Sequence, residues 1–250
     1  MKMKIRFLKT GIVVMMVSLF FATSCLKDNS SNNDRFWLSY GVIVGTTGNL
    51  NVRLDDGTIL YPDAGSQTNL SQFVTDRILV NYTVLSNKVE NGITNYNVKI
   101  NAVNKLLKKN IVLLTKQNAD SLGKDPVNAK NFWFGNNFLN INFSFYQDQK
   151  VHLINLAKDS IQSDPTTISL LLKHNAWGDN PSYERSGFVS FDMTSLLNGK
   201  DSVKIIVNYK DYSGASRDFK GTFIAARLKP QLQVKNGASH DFKGPFTPLN

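Results

Sequence analysis

One-by-one alternation of apolar and polar residues dominates this chain, and a period of two is the mark of a strand buried on one face. Tyr96, Val98, Ile100 and Ala102 alternate with Asn97, Lys99 and Asn101, and Ile78, Val80, Tyr82 and Val84 with Leu79, Asn81 and Thr83. Leu50, Val52 and Leu54 alternate in turn with Asn51 and Arg53. Between Leu54-Asp55 and Thr58-Ile59 stands Asp56-Gly57, a two-residue connection whose left-handed dihedrals suit a tight hairpin. Residues 36–103 therefore read as about five antiparallel strands, with a short helix expected around Asn104 to Lys109. Only two of the acids are Glu, which fits a chain with little helix.

The alternation lapses over 116–130 (KQNADSLGKDPVNAK), where Asp, Asn, Gly and Pro collect, and this segment is expected to be a linker. It then restarts: Leu139, Ile141, Phe143 and Phe145 share one side against Asn140, Asn142 and Ser144. Further strands are expected at Val151 to Leu156, Thr167 to His174, Phe188 to Asp192, Val203 to Tyr209 and Phe219 to Ile224. Strands at this spacing, with turn residues between them, point to a β-sandwich rather than a βαβ fold. The organisation is then 36–115 as one β domain, 116–130 as linker and 131–250 as a second.

What precedes residue 36 reads as an address. Lys2, Lys4, Arg6 and Lys9 come before the apolar run Gly11 to Ala22, the charged-then-apolar order of an export signal. The run falls short of the roughly 20 apolar residues that a bilayer-spanning helix needs. Ala22-Thr23-Ser24-Cys25 places small residues before the chain's only cysteine, the pattern read by a lipoprotein signal peptidase. The expectation is a signal peptide over 1–24, lipid attached at Cys25, and a polar tether over 25–35. Leu26 after the cysteine is not the Asp associated with inner-membrane retention. The expected location is thus the outer membrane of a Gram-negative cell envelope, on its periplasmic or cell-surface face. The several acyl chains of such an anchor would hold far more firmly than one, since each buried CH₂ contributes about 0.8 kcal/mol.

The net charge of +10 overstates the working protein. Without the leader's basic residues, 25 basic residues face 19 acids, or +6. No basic stripe with interleaved aromatics appears, so nucleic acid is not an expected partner. His152, His174 and His240 are far apart, and no second cysteine exists to build a zinc site. No metal and no cofactor is expected. His174 follows Ile168, Leu170 and Leu172 at strand spacing and is expected to end an apolar face rather than to activate a nucleophile. No nucleophile-elbow motif occurs, and no catalytic residue is assigned. Asp55-Asp56 has the look of a carboxylate pair but reads better as hairpin chemistry.

The segment from His174 to Tyr183 (HNAWGDNPSY) reads as a loop, because Gly178, Asn180 and Pro181 break the strand. Its aromatics are either tucked under the sheet or offered to a ligand, as Trp and Tyr are favoured anchors. If the loop binds, His174, Trp177, Asp179 and Tyr183 are its candidate contacts. Phe132-Trp133-Phe134 is expected to pack the seam between the modules. Asp120-Ser121-Leu122, Asp159-Ser160-Ile161 and Asp201-Ser202-Val203 resemble a short acceptor motif for O-linked glycans on exported proteins.

Taken together, these pieces resemble the NigD-like lipoproteins of Bacteroides-type bacteria. The resemblance rests on the lipobox and tether, on Asp55-Asp56-Gly57, and on Asp76-Arg77-Ile78-Leu79-Val80-Asn81-Tyr82. It continues through Tyr96 to Asn101 running into Leu106-Leu107-Lys108, the aromatic opening of the second module, and the loop from His174-Asn175 to Asp179 followed by Phe191-Asp192. It implies a mainly β protein, with an N-terminal OB-like β-barrel followed by a C-terminal antiparallel β-sandwich. It carries no catalytic residue and no established activity. The expected function is a non-enzymatic binding or accessory lipoprotein, with the membrane as one partner through Cys25 and a protein, peptide or glycan as ligand. The alternatives are an immunity-type lipoprotein, implied by the bacteriocin-linked family name, and a hydrolase with an unrecognised carboxylate site.

Overall fold

In the computed structural model, which describes residues 35–225 apart from 67, 91 and 160–166, the alternating segments become strands. The first five are β1 (Trp37–Thr46), β2 (Asn49–Leu54), β3 (Ile59–Pro62), β4 (Arg77–Glu90) and β5 (Ile93–Lys105). They close into a barrel in the order β1-β2-β3-β5-β4. Closure leaves no free sheet edge in this module. Inside it Val52, Leu60, Ile78, Val80 and Val98 have no exposed surface, each contributing roughly 1.5–3 kcal/mol by burial. The hairpin forms at the expected place but with a longer turn than the two-residue connection: the Gly57 N–H donates to the Leu54 carbonyl at 3.0 Å across Asp55-Asp56, Gly57 alone of the expected pair is left-handed, at φ +97°, and the Asp56 carboxylate accepts the Thr58 N–H at 2.9 Å.

One barrel seam departs from the antiparallel expectation, since β3 runs parallel to β5 with Leu60 opposite Tyr96. After β3 the chain crosses through the 3₁₀ turn Leu70–Phe73 and enters β4 beside β1. Because β5 returns antiparallel along β4, it reaches β3 in parallel. A parallel pair needs such a crossover and cannot be joined by a hairpin.

The remaining strands are β6 (Lys108–Asn110), β7 (Val112–Leu113), β8 (Asn128–Gly135), β9 (Phe138–Gln147), β10 (Leu153–Lys158), β11 (Thr167–Asn175), β12 (Tyr183–Asp192), β13 (Ser202–Lys210) and β14 (Ser216–Ile224). They form a sandwich of two sheets, β14-β13-β11-β10-β7 and β6-β12-β9-β8. Leu139, Ile141, Val189 and Phe191 from one sheet meet Leu156, Leu170, Val207 and Phe223 from the other.

The expected helix at 104–109 does not form. Asn104 and Lys105 finish β5, and Lys108–Asn110 runs along β12 instead. The backbone there is already engaged, for the Leu106 N–H donates to the Arg77 carbonyl and the Leu107 carbonyl accepts from Ser190 N–H. β6 joins one sheet and β7 the other, so the chain stitches the two layers together as it leaves the barrel. These strands lie upstream of 116–130, and that segment is a connection within the sandwich rather than between modules. It holds the helix Ala119–Leu122 and buries Leu122 and Val127.

Candidate functional site

β9, β11 and β13 all finish at one end of the sandwich, and β12 begins there, as their registers require. The loop 176–182 is therefore gathered beside the turns 148–152 and 211–215. This end lies away from the barrel, which meets the opposite ends of β9 and β12.

A buried chain of side chains supports the loop. Pro126 offers a carbonyl that can only accept, so His174 Nδ1 donates to it at 2.8 Å. His174 Nε2 is then left to accept from His152 Nδ1, 3.0 Å away. His152 Nε2 faces the Asp179 carboxylate at 3.2 Å. Asp179 also accepts backbone N–H groups from Asp148 at 2.7 Å and Gln149 at 3.2 Å. The side chains of His152 and Asp179 are each only 4% exposed.

The electrostatics agree with this pattern. Burial pushes His174 below its usual pKa, and nearby His152 adds to the effect against the opposing Pro126 carbonyl and Asp125. Burial works to raise the Asp179 carboxyl. The bonds from Asp148, Gln149, His152 and Lys150 outweigh it and hold the group well below the usual carboxylate range.

Trp177 stands at the tip of this supported loop. Its N–H is capped by Asn175 Oδ1 at 2.8 Å, its carbonyl accepts from Lys150 Nζ at 2.7 Å, and the Asp179 N–H closes the turn onto the Ala176 carbonyl at 2.9 Å. The backbone at Trp177 sits at φ +54°, a left-handed conformation that costs a bulky residue of order 1–3 kcal/mol and so points to function. The ring is not tucked away, because Trp177 is 48% exposed and Tyr183 is 62% exposed. Tyr183 pairs with Gln147 across the sheet under the Arg185 guanidinium, and beside it Tyr146 meets Tyr212 edge-on with ring centres 5.1 Å apart.

Of the four candidate contacts, then, His174 and Asp179 are internal supports, while Trp177 and Tyr183 face solvent. Sequence reasoning treated the histidines as scattered and missed the link through His152. Those two histidines are 22 residues apart, and only the pairing of β10 with β11, Ile154 opposite His174, brings them together. Cys25 lies outside the described residues. Of the three glycan-like motifs, Ser121 and Ser202 are exposed, while Ser160 lies outside the described residues.

A second constellation explains the other motif residues. Arg77, fully buried, pairs with Asp55. The same carboxylate accepts from Trp133 Nε1 at 3.1 Å, Asn136 Nδ2 at 3.0 Å and Asn140 Nδ2 at 3.2 Å. Arg77 also donates to Ser190 at 3.3 Å and Asn140 at 3.2 Å. These bonds weld the barrel to one sheet of the sandwich. Gly135 permits the approach, because a Cβ there would lie 2.0 Å from the Asp55 carboxyl carbon. Asp55 and Asp56 thus serve separate ends, one the weld and the other the turn. Of the aromatic triplet, Trp133 packs the seam against Tyr40 and Phe188, whereas Phe132 and Phe134 turn onto Phe219 inside the sandwich.

Comparison with known proteins places this geometry among relatives. A family model described as the NigD-like N-terminal OB domain matches residues 44–106, and one described as the NigD-like C-terminal beta sandwich domain matches residues 110–222. A candidate toxin-related protein from Parabacteroides distasonis is 30% identical over 78% of this chain and 96% of that one, with a TM-score of 0.64. A NigD-like immunity protein from Bacteroides caccae shares the fold at 22% identity and a TM-score of 0.54, over 76% of this chain and 96% of that one. A candidate lipoprotein from Bacteroides fragilis shares it at 12% identity and a TM-score of 0.52, over 77% of this chain and all of that one. No curated protein matches the chain.

Proposed function

Because this chain belongs to the NigD-like family, with that family's OB domain and β-sandwich, we propose that it is a non-enzymatic, membrane-tethered binding module of the outer membrane. Cys25 carries the lipid, and the loop end of the sandwich meets a protein, peptide or glycan. Among the described residues no helix is long and apolar enough to cross a membrane. The observation that carries the reading is the exposed Trp177, held at φ +54° above a buried polar chain. Burying a relay to support a strained aromatic in solvent makes sense where that aromatic is used.

Capture of partners from intact cells tests it. The tagged protein is expected to retain a defined partner that the Trp177→Ala, Tyr183→Ala double variant loses. Retention of the same partner by the folded double variant would reject the loop as the binding site. Mass spectrometry of protein from its native host checks the anchor, and an unmodified Cys25 would reject the tether.

An immunity role is the second reading, favoured by the 30% identity to a candidate toxin-related protein. Deleting the gene and challenging the cells with toxin-producing neighbours separates the two. A gain in sensitivity supports immunity, and unchanged survival removes it.

A further inference from the structure

Beside the loop, on the outer face of the five-stranded sheet, lies a cleft of about 370 Å³ lined by Lys124, Lys173 and Lys210 together with Asp125, Asn208 and Tyr209. The fold forces the three cations together. β11 and β13 run parallel with Leu171 opposite Asn208, and the same register two residues on sets Lys173 beside Lys210, on strands about 4.8 Å apart. Lys124 arrives on the segment that crosses the end of β11. Its neighbour Asp125 is pinned there twice, by its N–H on the His174 carbonyl at 3.0 Å and by its carboxylate accepting the Ala176 N–H at 2.7 Å.

None of the three lysines has an ion-pair partner among the described residues. The nearby acids are engaged elsewhere, Asp218 with Lys220 at 2.8 Å and Asp211 with Arg217 at 2.6 Å. Asp125 is the one carboxylate in the lining, which leaves two positive charges uncompensated. We infer that this cleft is a binding site for a phosphate monoester.

The charge selects the ligand. A phosphate monoester carries about −1.5 to −2 at neutral pH and offers three strong acceptors, which matches two free cations. A carboxylate or sulfate ester, with a single charge, would leave one lysine unanswered. The volume stands near the lower bound of roughly 300 Å³ for small-molecule pockets, enough for a phosphate joined to one sugar-sized ring. Asn208, whose amide nitrogen donates to Ser169 at 3.1 Å and leaves its oxygen to accept, and Ser216 also line the cleft and supply polar groups for that ring's hydroxyls. The lysines feel their crowding already: burial first, then Lys210 and Lys124, lower the pKa of Lys173. A phosphate of this kind belongs either to a soluble sugar phosphate or to a lipid headgroup.

The test titrates the purified protein with inorganic phosphate, glucose 6-phosphate and glucose, followed by calorimetry and by amide NMR shifts. Both phosphates are expected to bind saturably, with shifts at residues 171–174 and 208–210, and glucose is not. The Lys173→Gln, Lys210→Gln pair is expected to weaken glucose 6-phosphate about tenfold or more, as loss of charged phosphate contacts should. Lys204→Gln, on the same face but farther along β13, should change it less than about twofold. Competition by vesicles of phosphatidic acid, but not of phosphatidylcholine, would place the phosphate on a lipid, and its absence on a soluble sugar. Shifts that never saturate, equal binding of glucose, or undiminished binding by the Lys173 and Lys210 pair would overturn the site. The outcome is independent of whether the Trp177 loop captures a partner.

Discussion

Trp177 sets stability against use at a single position. Glycine adopts φ +54° without a Cβ penalty, so Trp177→Gly is expected to stabilise the fold by about 0.5–1 kcal/mol in denaturant unfolding. The same change should abolish partner capture. A destabilised glycine variant would mean that the indole packs as structure rather than standing ready for a ligand. His174 gives a second test with a definite sign. Its folded pKa lies below the usual 6.5, so above that pH neither the folded nor the unfolded state holds the proton and stability is full. As pH falls the unfolded chain protonates first, and stability declines until pH passes the folded value, with a slope of at most about 1.4 kcal/mol per pH unit. Unfolding measured from about pH 8 to about pH 5 should show that decline in the native protein and a flatter profile in His174→Gln. The Asp179 carboxyl, also lowered, adds its loss only farther into acid, below its usual 3.8. An equal slope in both proteins would separate His174 from the acid response.

The strands themselves were legible because their alternation needs only a period of two. What joins them was not. Asn140 and Ser190 occupy polar slots of alternating strands and so look solvent-facing, yet neither has exposed surface, because the barrel covers that face and supplies Arg77 to bond both. Asp55 was legible as a turn residue, but its partner Arg77 lies 22 residues away and Asn140 lies 85, separations that carry no local signal. Residues 104–110 misled for a related reason: the short run Leu106-Leu107 reads as helix until neighbouring strands claim its backbone. The weld makes an unequal pair of predictions. Asp55→Ala strands a fully buried guanidinium, and breaking a buried pair in this way costs about 3–5 kcal/mol. Arg77→Met removes the costly charge and leaves Asp55, which is 17% exposed, with Trp133, Asn136 and Asn140 still donating. The methionine variant should therefore lose less, by denaturant unfolding, and the reverse order would contradict the weld as described.

At the scale of the whole molecule the barrel and the sandwich fall within one compact unit, joined by the weld at one end while the opposite end of the sandwich is left for the loops. Calorimetry of the native protein is expected to show one cooperative transition for both modules, and Asp55→Ala to split it into two; two transitions in the native protein would show that the weld does not couple them. The family and the fold were within reach of the sequence, since the strand spacing and the motif residues already pointed there. The surface proposed for binding was not, because exposure is a property of the packed end and a large aromatic in a loop such as HNAWGDNPSY more often covers a core edge. The most direct measurement places a photo-crosslinking amino acid at position 177 or 183 in living cells, with position 89, on the exposed barrel hairpin, as the control. A defined crosslinked partner at 177 and 183 but not at 89 is the expected result. The same products at all three positions, or none at 177 and 183, would contradict a binding role for this end of the molecule.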